Sequence, residues 1–243
     1  MLKYFILLAI ISLKGLTGFA GVHNAPASDS LLVVKKCTDF AISGKGDHAN
    51  WQKAGWTSLQ KLDKAGAAYA SRFKVLYSVK GIYVLFNGED AVITSPFTKD
   101  FEKIFKGDVF EVFFHPQPDE PIYFEYEVSP LDKELVLLMV QRNEYIGGWS
   151  PWPYEPGSKV KKKVTVNGGP KKDGASIKSW TAELFIPYKL LGAFKNTPAV
   201  KGSIWKANFC RLDYDTGNMV KWAWAPIETS FHETSRYFSL KFD

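Results

Sequence analysis

The sequence predicts an all-β protein: an antiparallel β-sandwich of jelly-roll or immunoglobulin-like layers, with one or two short helices. Three observations predict it. Short runs of alternating apolar and polar residues recur along the chain, Gly and Pro punctuate the gaps between them, and helix-period patterning is thin. About eleven such runs fit one two-layer core, and sandwiches of this length commonly form a single domain.

The elements follow in order. Residues 1–20 carry Lys3, the apolar run FILLAIISL and the small residues Gly18 and Ala20, the pattern of an export signal. The apolar run is too short for a membrane anchor, so no integral membrane segment is expected after cleavage. Residues 21–30 form a flexible lead-in, and 31–243 form the domain. LLVVKKC (31–37) is the first strand. RFKVLYSV (72–79) and GIYVLFNG (81–88) make a hairpin around Lys80-Gly81, and the second strand runs into Asn87, Gly88, Glu89 and Asp90. FTKDFEKIF (97–105) has helical spacing.

In VFEVFFH (109–115), Glu111 shares a face with Val109 and Phe113, while Phe110, Val112 and Phe114 take the other. In IYFEYEVS (122–129), Tyr123, Glu125 and Glu127 face away from Ile122, Phe124, Tyr126 and Val128, which reads as a solvated row. ELVLLMVQ (134–141) is the next strand. GGWSPWPYEPG (147–157) reads as a loop from its Gly and Pro. KVTVNG (163–168) and IKSWTAELFIP (177–187) are strands, PYKLLGAF (187–194) is a second short helix, and SIWKANFCRLD (203–213), VKWAWAP (220–226) and RYFSLKF (236–242) complete the set.

Composition narrows the function. The formal net charge is +6, a mild excess, and its densest stretch, KVKKKVTVNGGPKKDG (159–174), straddles a turn and reads as a solvated hairpin tip. Nucleic-acid binding would require a basic face interleaved with stacking aromatics. No nucleic-acid partner is therefore expected, and the export signal at residues 1–20 sets the expected location as secreted or periplasmic. Cys37 and Cys210 either pair or stay as two buried thiols.

Seven ordered segments over residues 40–243 resemble carbohydrate-binding family 9. They are ISGKGDHANWQKAGW (42–56), the hairpin from Val75 to Asp90, GDVFEVFF (107–114), IYFEYEVSP (122–130), WTAELFIP (180–187), IWKANFCRLD with WAWAP, and SFHETSRYFSLKF (230–242). Ser43 stands where the family pattern has its first Asp. The resemblance implies a β-sandwich that holds a mono- or oligosaccharide, often a chain end, between two aromatic rings, with structural calcium common. The two clamp positions fall on Phe105 and Phe231, where the family pattern has Trp.

A pyranose presents an apolar C–H face and a rim of hydroxyls, so rings cover the face and fixed polar groups satisfy the rim. Phe105 and Phe231 suit the first task, and Trp149 and Trp152 are alternative platforms. For the rim the resemblance points to Glu127, where an Arg is more typical, and to Asn208 and Arg211, which lie three apart and so on opposite faces. His232 follows Phe231 and suits a hydroxyl contact. Calcium ligands are expected on Asn87, Glu89 and Asp90, residues that turn chemistry also explains.

The expected function is an exported carbohydrate-binding protein assisting polysaccharide breakdown. A glycoside hydrolase using Glu125 and Glu127 is an alternative, because such carboxyls stand roughly 5–9.5 Å apart. A haem-binding sandwich with Met139 or Met219 as ligand is another.

Overall fold

A computed structural model describes residues 30–142, 145–152 and 154–243. Residues 1–29, which hold the expected export signal and most of the lead-in, lie outside the described residues. No helix among the described residues is long and apolar enough to cross a membrane.

Fourteen strands form among these residues: β1 (Leu31–Lys36), β2 (Thr57–Ser58), β3 (Gln60–Lys61), β4 (Ser71–Tyr77), β5 (Gly81–Glu89), β6 (Val109–His115), β7 (Ile122–Val128), β8 (Glu134–Arg142), β9 (Tyr145–Pro151), β10 (Lys161–Asn167), β11 (Ser179–Pro187), β12 (Ile204–Asp213), β13 (Val220–Ala223) and β14 (Phe238–Phe242). One layer runs β10-β11-β5-β4, and the other runs β14-β12-β6-β7-β8-β9. The short strand β2 extends the first layer beside β4, and β13 with β3 extends the second beside β12. β1 joins the layers, pairing first with β14 over Leu31–Val34 and then with β4 at Lys35 and Lys36. Both β1 pairings are parallel. The remaining strand pairs are antiparallel, in line with the sandwich the alternation predicts.

The core fills with the faces the alternation assigns inward. Phe73, Val75, Ile82, Val84, Phe86, Trp180 and Leu184 of one layer meet Phe110, Val112, Phe114, Phe124, Tyr126, Phe209 and Leu240 of the other. Aromatic rings do much of the joining. Phe86 stacks on Phe110 at 4.6 Å and Phe73 on Phe209 at 4.0 Å, geometries that favour ring pairs beyond their area burial.

Each layer also buries much of its outer face. Loops close Ile104, Phe231 and Tyr237 over Phe113 and Tyr123 on β6 and β7, while Ile42, Trp51 and Phe40 cover Tyr83, Leu85 and Phe185 on β5 and β11. Cys37 lies in one of these outer clusters and Cys210 in the other, and both are free thiols. Burial raises the Cys37 thiol to about 11 and the Cys210 thiol well above its usual range.

Three elements differ from the sequence reading. The segment 97–105 is not an α-helix: Phe101 has φ +65°, and the Glu102 carboxylate takes the Thr98 and Lys99 N–H groups, leaving only a 3-10 turn at Ile104–Lys106. Residues 187–194 form consecutive three-residue turns, with Leu190, Leu191 and Phe194 N–H groups bonding Pro187, Tyr188 and Leu191 carbonyls. The start of the Gly/Pro-rich loop is instead β9, an edge strand. There Gly and Pro are tolerated because one side of the ladder is unpaired, and a register shift at Val140/Gln141 absorbs the irregularity.

Candidate functional site

Strand register assembles the site on the outer face of β6–β9. Across one row Cys210 pairs with Glu111, Glu111 with Glu127, and Glu127 with Leu135. In the next row Asn208 pairs with Phe113, Phe113 with Glu125, and Glu125 with Leu137. A third row carries Tyr123, Met139 and Trp149. Period-2 alternation thus gathers three carboxyls and one amide from three strands onto one patch.

That patch is not the solvated row the sequence suggests. Glu111, Glu125 and Glu127 are 3%, 4% and 1% exposed, and Asn208 is fully buried. Two loops cover it. From one side comes the turn at Ile104–Lys106, where the Phe105 carbonyl accepts the Tyr214 hydroxyl and the Phe105 backbone opposes the rise of the Glu127 pKa. From the other comes the segment 226–237. Phe231 packs edge-on to Phe113 with centroids 6.2 Å apart, and His232 stands perpendicular to the same ring at 5.6 Å. Tyr237 donates to the Phe231 carbonyl, and Gln141 donates to the His232 carbonyl, each at 2.7 Å. The Glu233 carboxylate holds the segment's turn by accepting the Glu228, Thr229 and Ser230 N–H groups. Burial opposes its charge, yet these bonds and the Thr229 hydroxyl bring Glu233 down to about 2.

The electrostatics follow from burial. Loss of water lifts Glu111 and Glu127 well above the usual carboxylate range, with repulsion from the neighbouring carboxyls adding to it, and loss of water alone lifts Glu125 to about 7 against a lowering contact from Glu127. His232 is pushed down to about 4 by burial, so at neutral pH its ring is uncharged. Its Nδ1 lies 3.9 Å from Glu125 Oε2, but the nearer partner is the Tyr123 hydroxyl at 2.7 Å. With a neutral ring the Glu125 contact is not an ion pair.

Satisfaction is incomplete at the centre of the patch. Asn208 Oδ1 accepts the Phe209 and Ala225 N–H groups, while its Nδ2 has no partner, and neither does Glu125 Oε2 or Glu127 Oε2. Buried polar atoms of this kind are rare and mark a place that water or a ligand completes.

The structure therefore brings together Phe105, Phe231, His232, Glu127 and Asn208, and adds Glu111 and Glu125. Phe231 is 8% exposed and Phe105 half-buried, and both pack in the cluster that covers this face. Trp149 lies further out on the same sheet face, 56% exposed. An open groove of about 570 Å³, lined by Tyr145, Ile146, Ser230, His232 and Arg236 among others, runs beside the covering segment.

Two expected residues sit elsewhere. Trp152 packs inward, stacked on Phe194 at 5.4 Å. Arg211 points between the layers and is fully buried. Its Nη2 lies 2.6 Å from Asp213 and 3.2 Å from Asp90, its Nη1 donates to Ser71 and the Glu89 carbonyl, and Tyr69, Phe110 and Trp222 surround the guanidinium. Of the haem ligands considered, Met139 is core packing and Met219 is exposed.

The expected calcium set does not converge. Asn87 is engaged by Arg72 and Thr181, Glu89 by the Ala70 N–H, and Asp90 by Trp180, the Val92 N–H and Arg211. Asp90 does gather with Asp213 and Asp215, but the Arg211 guanidinium already supplies a cation there. These residues do not fit a calcium ion: at the acidic end of the β4–β5 hairpin Asp90 faces Arg211, while the Glu89 carboxylate takes a backbone N–H.

The fold is a two-layer β-sandwich with one polar outer face closed over by loops. The chain belongs to carbohydrate-binding family 9, whose family model matches residues 46–242. Similar solved structures agree on the fold. A protein from Bacteroides uniformis described as carbohydrate-binding superposes with a TM-score of 0.67 at 18% identity, covering 88% of this chain and 99% of that one. A family 9 module from Caldicellulosiruptor kristjanssonii, solved with cellotriose, gives 0.61 at 14% identity, covering 88% and 94%. The structure of a family 9 module from that organism with glucose gives the same TM-score and identity, covering 88% and 96%. No curated protein matches the chain significantly.

Proposed function

We propose that the protein is an exported, non-catalytic carbohydrate-binding module that takes a sugar over the Glu111–Glu125–Glu127 patch, between Phe105 and Phe231. One observation carries the reading. Unpartnered polar atoms of Glu125, Glu127 and Asn208 share one covered sheet face, and Phe105 and Phe231, from separate loops, belong to the cluster packed on that face. Sugar hydroxyls both donate and accept, so they suit a mixed set of carboxyl oxygens and an amide N–H. The rings offer C–H contact from either side. Family membership and the cellotriose- and glucose-bound neighbours support the ligand class.

Because Phe231 is nearly sealed, sugar entry requires outward movement of the covering segment beside the groove. Trp149 then provides an exposed shelf for a second unit of an oligosaccharide. An exported module of this kind assists polysaccharide breakdown by holding an enzyme or a cell near its substrate.

Titration calorimetry against glucose, cellotriose and a panel of other mono- and oligosaccharides tests this. Binding to at least one sugar is expected. Glu127→Gln and Phe105→Ala should each weaken it by about tenfold or more, with Trp149→Ala affecting only oligosaccharides. Silence across the panel, or binding unchanged by both Glu127→Gln and Phe105→Ala, overturns the reading.

A further inference from the structure

Eight side-chain carboxyl groups are buried among the described residues, and five of them have their partners. Asp90 and Asp213 face Arg211, and Glu134 faces Lys162 at 2.9 Å. Asp108 accepts the Thr94 and Tyr214 N–H groups. Glu183 accepts the Ser43 and Gly44 N–H groups and the Trp51 indole N–H. The other three are Glu111, Glu125 and Glu127. No Lys or Arg among the described residues stands within ion-pair distance of any of them. His232 is the one basic side chain nearby, and its ring is uncharged at neutral pH. Glu125 Oε2 and Glu127 Oε2 have no hydrogen-bond partner. Buried acids elsewhere in the chain are completed by a cation or by donors, and these are not.

Their spacing indicates what completes them. Glu111 and Glu127 are register partners on β6 and β7, and Glu125 follows on the same face of β7. Opposed Cβ atoms in such a pair lie about 4.5–5.5 Å apart, and same-face neighbours along a strand about 7 Å. Only Asp90, Asp213 and Asp215 bring acidic oxygens into a tight metal-sized group among the described residues, so the three Glu do not form one. Ionised carboxyls only accept hydrogen bonds, and an ammonium group only donates them, through three N–H bonds. Leu135, Leu137 and Met139 on β8 border the carboxyls in register, an apolar margin for C–H groups. Trp149 stands beyond Met139, 56% exposed.

We propose that the sugar taken by this patch carries a free primary amine, with its ammonium group among Glu111, Glu125 and Glu127 and its C–H groups along the β8 margin. The inference rests on the reading of the patch as the sugar site, entered beneath the 226–237 segment. Asn208 Nδ2 is left for a sugar oxygen, and Trp149 for the next unit of an amino-sugar oligomer. An ammonium displaces the protons that burial holds on the acids, whereas a neutral sugar leaves them in place. The other titratable groups facing the patch are Cys210 on β12, Tyr123 on β7, Tyr214, and His232 and Tyr237 of the covering segment. Burial keeps His232 uncharged and raises Cys210, Tyr214 and Tyr237, so the displaced protons come from the carboxyls.

Calorimetry on the full chain at pH 6.5 tests it with glucosamine, a glucosamine trimer, glucose, N-acetylglucosamine, and ethanolamine, which carries the ammonium without a ring. A sugar amine resembles an α-amino group, which titrates at about 7.7–8.0, so it is charged at this pH. Glucosamine is expected to bind at least tenfold tighter than glucose and N-acetylglucosamine, and the trimer tighter still. Titrations in two buffers of different ionisation heat should show proton release with glucosamine and none with glucose, a readout that needs no variant. Glu125→Gln/Glu127→Gln, its fold checked by thermal transition, should cut the glucosamine-to-glucose affinity ratio at least tenfold. Neutral sugars binding as tightly as glucosamine overturn the inference and leave the patch a sugar site. Ethanolamine matching glucosamine, no proton release, or an unchanged ratio in the double variant also overturns it. Silence of every sugar overturns the reading of the patch and this inference with it.

Discussion

Arg211 shows how much a single residue's role depends on distant chain. The spacing of Asn208 and Arg211 already implies opposite faces, and they lie there. What the spacing does not contain is the partner. Asp90 lies 121 positions away in sequence and meets the guanidinium only when the two layers close. Removing one partner of a buried ion pair strands the other charge, so Arg211→Met is expected to cost about 3–5 kcal/mol in denaturant unfolding. Asp90 sharpens this. Burial raises it to about 7 despite Arg211, which has to serve Asp213 as well. A cost below about 1 kcal/mol would show that the acids neutralise without the arginine.

At the level of elements, period-2 alternation made the strands readable, including the faces of Glu111 and of Glu125 with Glu127. Alternation states only which way a side chain points. It does not state what covers that face, and here the covering turns come from residues 104–106 and 226–237. Three Glu at even spacing on successive strands were the available signal for the patch. β9 and the two expected helices were misread for a related reason, since edge position and a positive φ at Phe101 override local propensity.

The covered carboxyl row has a pH consequence. Between about pH 5 and 7 the folded protein holds protons, on Glu125 among others, that the unfolded chain has released. Their contribution to stability is fully present below the unfolded value near 4.5 and is lost as pH rises through the folded one. Unfolding free energy should therefore fall with rising pH, by about 1.4 kcal/mol per unit for each proton so held. Urea titrations at pH 5 and 7 check the sign, and Glu125→Gln should flatten the slope.

At the scale of the whole molecule, the two-layer sandwich was recoverable from composition and punctuation, while the seam between layers was not. LLVVKKC is an ordinary strand by pattern; its division between β14 and β4 is a property of the closed fold. A chain beginning at Thr38 is expected to lose a cooperative transition or melt at least 10 °C lower, because both layers lose a parallel edge partner. An unaltered melting curve would assign β1 no structural role.

The same seam bears on mechanical load. β1 and β14 run side by side in the same direction, so traction applied at Leu31 and at Phe242 drags the two strands past one another lengthwise. Their inter-strand bonds then resist together, where a hairpin peeled from its open end would yield them one at a time. A tether anchored through these two strands would grip under flow.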